Sequence, residues 1–177
     1  MIKDSGERRE FESGAVRDIQ EGKGRCDLLP LDVIAAMYQH HTDKIGAPSV
    51  LRNIYNFTVT GDTRYLEDTI EWFLLNDAPF GDANWATVWL EISKHFEEGC
   101  QKYGENNWKK GIPSHCYVDS GVRHYLKWLR GDDDEPHDRA FVWNMICCIW
   151  TCRHMPELNE YRQNEATVLE EKGDDLK

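Results

Sequence analysis

From Pro30 onward, apolar residues recur at intervals of three and four, the spacing that gathers them on one face of a helix. Leu31, Ile34, Ala35 and Tyr38 give such a face to a helix running from Asp27-Leu28-Leu29-Pro30 to about His41, with Asp32 in the first turn, where the dipole favours an acid. Ser49 is placed to cap a short helix from Val50 to about Phe57. Gly61-Asp62-Thr63 breaks the chain before a helix from Arg64 to about Leu75, with Leu66, Ile70, Phe73 and Leu74 inward. A longer helix is read from Trp85 to Gln101, and the clearest from Cys116 to Arg130, where Val118, Val122, Tyr125, Leu126 and Leu129 form a stripe. Ala140 to Trp150 is apolar all round except for Asn144, the mark of a helix central to a core. The expected fold is an all-α bundle of about five to seven helices. Its single domain spans 13–153, with residues 42–84 inserted as a helical pair. Residues 1–12 are polar and expected to be loose, and 154–177 read as a short helix and a charged, disordered tail.

Composition narrows the function. A chain of 177 residues that is 40% hydrophobic can bury one real core. Its net charge of −11 argues against polymeric nucleic acid or an anionic membrane as partner, though a local basic pocket could still hold a small phosphorylated ligand. No run of 18 apolar residues suggests a membrane span, and the polar N-terminus has no signal core, so a cytoplasmic protein is expected. The six cysteines form no C-x-x-C and are expected as free thiols; Cys148, Cys152 and His154 match no strong zinc pattern. Seven Trp and seven Tyr supply buried area and stacking platforms, and could expose apolar surface to a symmetric partner, so a homo-oligomer is expected.

The polar groups then suggest chemistry. Ser120, Arg123, His124 and Lys127 form a second stripe on the 116–130 helix, with two cations, an imidazole and no carboxylate, which suits phosphate oxygens. The turn Gly131-Asp132-Asp133-Asp134-Glu135-Pro136-His137 clusters acids and an imidazole, and Pro136 suits a first helical position. Asn144 lies seven residues after His137, hence on the same face; it is either a core amide tying two helices or a ligand-facing one. His95 and Glu98 project from one side of the earlier helix, where they could share a metal or form part of a solvated face. Gly22-Lys23-Gly24-Arg25 is either an anion contact or a surface turn, and lacks P-loop spacing. Asn106-Asn107-Trp108-Lys109-Lys110 is either a base-and-phosphate surface or a structured loop with Trp108 plugging the core.

Four blocks taken together resemble a known family: G-K-G-R-C-D-L-L-P (22–30), K-Y-G-E-N-N-W-K-K-G-I-P (102–113), D-S-G-V-R-H-Y-L-K-W-L-R-G-D-D-D-E-P-H (119–137) and A-F-V-W-N (140–144). The family is the phage-associated one described as the dATP/dGTP diphosphohydrolase N-terminal domain. The resemblance covers roughly residues 11–153, interrupted by 42–84, and implies hydrolysis of purine deoxynucleoside triphosphates. The helical pattern also resembles the all-α nucleotide pyrophosphohydrolases of the MazG type, which hold Mg²⁺ on E-x-x-E and E-x-x-D and build sites between subunits. This chain departs from that pattern, with His95-x-x-Glu98 on the earlier helix and Asn144 roughly where the acid would be. Imidazole ligation tilts a site from Mg²⁺ towards Mn²⁺, Fe²⁺ or Zn²⁺.

The combined expectation is a metal-dependent hydrolase, acting in the cytoplasm of an infected bacterial host, that cleaves a (deoxy)purine nucleoside triphosphate to monophosphate and pyrophosphate. Mg²⁺ or Mn²⁺ would be held by Glu98 with His95, His124, Glu135 and His137. Glu98, His124, His137 and Asn144 are the expected catalytic groups. Lys23, Arg25, Lys109, Ser120, Arg123 and Lys127 would contact phosphate, and Asn107 and Trp108 the base. The rival expectations are a protein that sequesters a nucleotide or nucleotide-like signal without cleaving it, favoured by Asn144, and a purely structural helical protein.

Overall fold

A computed structural model describes residues 6–18, 26–29, 46–77 and 85–162. In chain order these form β1 (Arg8–Glu10), β2 (Val16–Asp18) and a 3-10 turn at Cys26–Leu28. Then follow α1 (Ala47–Thr60), α2 (Arg64–Trp72) with a π-helical turn at Phe73–Asp77, and α3 (Trp85–Tyr103). A 3-10 turn (Asn107–Lys110), α4 (Ser114–Arg130), α5 (His137–His154) and a last 3-10 turn (Pro156–Leu158) complete the order. Among the described residues the protein is all-α apart from one antiparallel ribbon, in which Arg8 pairs with Asp18 and Glu10 with Val16. The helix expected over 30–41, the Lys23 and Arg25 segment, residues 78–84 and the tail from 163 lie outside the described residues.

The helix ends follow from local chemistry. Gly61 closes α1 at φ +68°, its N–H donating to Phe57 O at 2.7 Å. Gly131 closes α4 at φ +85°. Pro136 immediately precedes α5, where its missing N–H and restricted φ cost nothing. α5 buries Phe141, Val142, Met145, Cys147 and Cys148 completely, as an all-apolar helix must. It lies against α4 at Gly121, where a Cβ would collide with the Met145 side chain.

The α1–α2 pair is core rather than appendage. Val50, Leu51, Ile54, Phe57 and Leu66 are fully buried in the same cluster as α4 and α5. Phe73 sits edge-on to Phe141 at 4.9 Å and to Trp128 at 5.2 Å between ring centres.

Part of the 1–12 stretch expected to be loose, Arg8–Glu10, forms a strand, and the ribbon it makes with Val16–Asp18 is anchored by side chains. Asp18 accepts from Lys102 Nζ (2.8 Å) and Tyr103 Oη (3.0 Å) and pairs with Arg8 (3.3 Å). Asn107 clamps the other side, accepting from Val16 N and donating to Val16 O, both at 2.9 Å. No helix among the described residues is long and apolar enough to cross a membrane.

Candidate active site

A cavity of about 950 Å³ opens between the ribbon, α3, the 107–110 turn, α4 and the start of α5. That is near the upper end of small-ligand pockets. Arg123, His124, Lys127, Asp134 and Glu135 line one end, and Phe96, Trp108 and Trp143 line another part.

At the polar end two imidazoles meet. The helical period brings His124 onto the cavity side of α4, and the tight turn after Gly131 returns the chain so that His137 opens α5 beside it. Their Nδ1 atoms are 3.0 Å apart. Glu135 Oε1 lies 3.7 Å from one Nδ1 and 3.8 Å from the other. His137 Nε2 contacts Asp134 Oδ1 at 2.7 Å, and Asp134 Oδ2 faces Lys127 at 3.3 Å. With Nε2 set against Asp134, His137 turns its Nδ1 towards His124 and Glu135. Burial, then the neighbouring His137, hold His124 well below the ordinary histidine value, which favours the neutral imidazole, the form that ligates metal.

This donor set fits a divalent ion. Two nitrogens each about 2.0–2.1 Å from one metal and roughly 90–110° apart lie ~2.8–3.4 Å from each other. One ligand atom from each of His124, Glu135 and His137 falls within 4.8 Å of the others. Asp134 supplies the outer carboxylate that fixes the orientation of a ligating histidine.

His95 and Glu98 do not join this group. His95 is 6% exposed, its ring 5.5 Å from that of Trp143. Burial, then Arg139, push its value down to about 3, so it is neutral. Glu98 faces Arg139 at 3.7 Å. An i, i+3 spacing put the two on one side of α3, but that side turns to Trp143 and Arg139 instead.

The expected substrate contacts are also revised in part. Ser120, Arg123 and Lys127 line the cavity, but both cations already face acids: Arg123 pairs with Asp119 and Lys127 with Asp134. Asp119 also accepts from Cys26 N at 2.6 Å. Asn107 lines the cavity and sets both ends of its amide on Val16, holding the ribbon. Asn144 likewise accepts from Arg17 Nη2 and donates to Ala140 O, both at 2.8 Å, tying α5 to the ribbon from the cavity wall. Trp108 is half-buried against Phe96 and Trp150 while lining the cavity, and exposed Lys109 stands 5.2 Å over its ring.

The sequence reading missed Arg17 and Trp143. Arg17 reaches in from β2, its guanidinium 5.2 Å over the Tyr117 ring. Arg17 Nη1, Trp143 Nε1 and His95 Nδ1 are buried with no hydrogen bond among the described residues. Each such group costs about 1–3 kcal/mol. A three-residue strand has no periodicity that could reveal Arg17, and Trp143 reads as one more core aromatic.

A family model described as dATP/dGTP diphosphohydrolase, N-terminal, matches residues 74–161, the segment that carries α3, α4, α5 and every ligand of the two-histidine group. No curated protein and no solved structure matches the chain. The family's name indicates a nucleotide hydrolase, and residues 74–161 of the chain match the dATP/dGTP diphosphohydrolase N-terminal family.

Proposed function

We propose that the cavity takes a purine (deoxy)nucleoside triphosphate and, with a divalent metal ion, cleaves it to the monophosphate and pyrophosphate. The observation that carries this reading is the convergence of two imidazole Nδ1 atoms, 3.0 Å apart, with the Glu135 carboxylate beside both, at the edge of a nucleotide-sized hollow. His124, Glu135 and His137 would hold the ion, Mn²⁺ or Mg²⁺, which when bound acidifies water and neutralises phosphate charge. The water oxygen adds to the α-phosphorus as the α–β bridge breaks, and pyrophosphate leaves. The protein's part is to position the phosphates and offset their charge. Ser120, Arg123 and Lys127 lie along the same wall for that purpose, the incoming phosphates drawing the two cations from Asp119 and Asp134.

A second reading, in which nucleotide is held intact, is favoured by the ligand set: it contains one carboxylate, and Mg²⁺ prefers oxygen. One experiment separates the two. Pure protein is incubated with each dNTP and NTP in Mg²⁺, Mn²⁺ or chelator, and the products are resolved by chromatography. The catalytic reading expects a purine monophosphate and pyrophosphate that vanish with chelator. Nucleotide recovered intact under every metal contradicts it.

A further inference from the structure

At the start of α4 a second group of reactive side chains meets the cavity. Cys116 Sγ lies 3.2 Å from His115 Nε2 and 3.1 Å from Arg9 Nη2. On the far side of the ring, His115 Nδ1 lies 2.5 Å from Glu160 Oε2. We infer that Cys116, His115 and Glu160, with Arg9, form a thiol–imidazole–carboxylate nucleophile that a small hydroperoxide entering the cavity oxidises to the sulfenic acid. The group stands eight residues along α4 from His124, about 12 Å at 1.5 Å per residue, and the inference does not depend on the nucleotide reading.

The order of contacts is nucleophile, base and orienting group, the arrangement that activates a thiol. Glu160 is itself fixed: its Oε2 accepts from His115 N at 3.1 Å, and its N donates to Ser114 Oγ at 3.1 Å. Contact with Cys116, then with Glu160, outweigh burial and raise His115 to about 9, so at neutral pH both ring nitrogens carry protons. One then donates to the carboxylate and the other to the sulfur. Arg9 donates to the same sulfur, and across the ribbon it pairs with Arg17, a second cation on the cavity wall. Cys116 is also the third residue of α4, where the helix end adds partial positive charge. The thiolate is the reacting form of a cysteine, and cationic neighbours of this kind favour it. The other buried thiols differ: burial holds Cys26, Cys147 and Cys148 above the ordinary value.

Access selects the reagent. Cys116 is only 3% exposed, yet it lines the cavity, so a small molecule reaches the sulfur through the hollow. The thiol proton passes to His115 Nε2, and the thiolate attacks one oxygen of the hydroperoxide. The O–O bond breaks as the S–O bond forms. The leaving oxygen takes the proton from His115 and departs as water, or as an alcohol from an organic hydroperoxide. Sulfur loses two electrons and the peroxide gains them. The product is reversible: an added thiol displaces the sulfenic oxygen as water, and a second thiol restores Cys116.

The chain carries its own controls, because Cys100 is an exposed thiol and Cys147 a fully buried one. The full chain is treated with hydrogen peroxide for timed intervals, and catalase stops the reaction. Remaining thiols are alkylated with iodoacetamide in urea, and each cysteine peptide is quantified by mass spectrometry. Cys116 should be lost at least about tenfold faster than Cys100, and dithiothreitol should restore it. His115→Asn and Arg9→Gln should each slow the loss of Cys116 towards the Cys100 rate, with Cys100 unchanged and Cys147 still protected. Arg9→Lys keeps the charge and should retain most of the wild-type rate. Cys100 reacting first in wild type would show that exposure alone governs, and would overturn the inference. So would an unchanged Cys116 rate in His115→Asn with Cys147 protected. If a variant exposes Cys147 it has unfolded, and the wild-type order of Cys116 and Cys100 then decides.

Discussion

Asp134 shows how a residue outside the expected ligand set shapes the site. One oxygen holds His137 Nε2 and the other faces Lys127, so the imidazole's tautomer and direction are fixed from behind. Replacing Asp134 by Asn leaves the shape and removes the charge. Mn²⁺ affinity should fall about 10- to 100-fold, read by calorimetry, without loss of the melting transition. Unchanged affinity would show that Asp134 does not orient a ligand. The cation stripe itself was legible, because residues three, four and seven apart must share a face. What pairs with it was less so. Asp119 stands four before Arg123 and could have been read as its partner, whereas Asp134 reaches Lys127 through a turn whose path no periodicity encodes. Asn107 and Asn144 illustrate a deeper limit. An amide next to a candidate site looks the same in sequence whether it faces a ligand or ties two backbones together.

Two junctions hold the C-terminal segment against the elements that carry the site. At the start of α4, Glu160 accepts from His115 N at 3.1 Å and contacts His115 Nδ1 at 2.5 Å, while Ser114 Oγ accepts from Glu160 N at 3.1 Å. The exchange caps α4 from outside its own sequence. Contact with the Cys116 thiol, then the Glu160 carboxylate, outweigh burial and raise His115 to about 9. The folded chain thus keeps a proton that the unfolded chain releases near 6.5. The contribution is complete below about pH 6.5 and disappears as pH rises through about 9. Urea unfolding of wild type and Glu160→Gln should therefore differ most below pH 6.5 and converge above 9. A gap that widens at high pH would contradict this.

Gly61 is the second junction. A Cβ there would stand 2.6 Å from the backbone N and Cα of Arg162, at φ +68°. Neither obstacle is a movable side-chain tip. Gly61→Ala should cost about 1–3 kcal/mol in the same assay, and a neutral result would mean the C-terminal segment does not pack there. The helices α1 to α5 were readable from spacing alone, to within a few residues at their ends. The ribbon was not, because strands of three residues are too short to show alternation and are held by Asp18 and Asn107 from distant segments.

Over the whole molecule, one core spans both the α1–α2 pair and the α4–α5 pair. The apolar faces of the 42–84 segment were visible in the sequence, but not that Phe73 would reach Phe141 and Trp128. With a net charge of −11, the protein repels anions at long range. On the proposed function, a triphosphate would be drawn in by local charge, from a bound ion together with Arg123 and Lys127, and metal occupancy and turnover would be inseparable. The most direct measurement is the rate of pyrophosphate release from a purine deoxynucleoside triphosphate as Mn²⁺ is titrated, in wild type and in Glu135→Gln. The account predicts saturable activation in wild type and a rate at least about 100-fold lower in the variant at the same metal concentration. Equal rates in the two proteins, or release that persists in chelator, would contradict it.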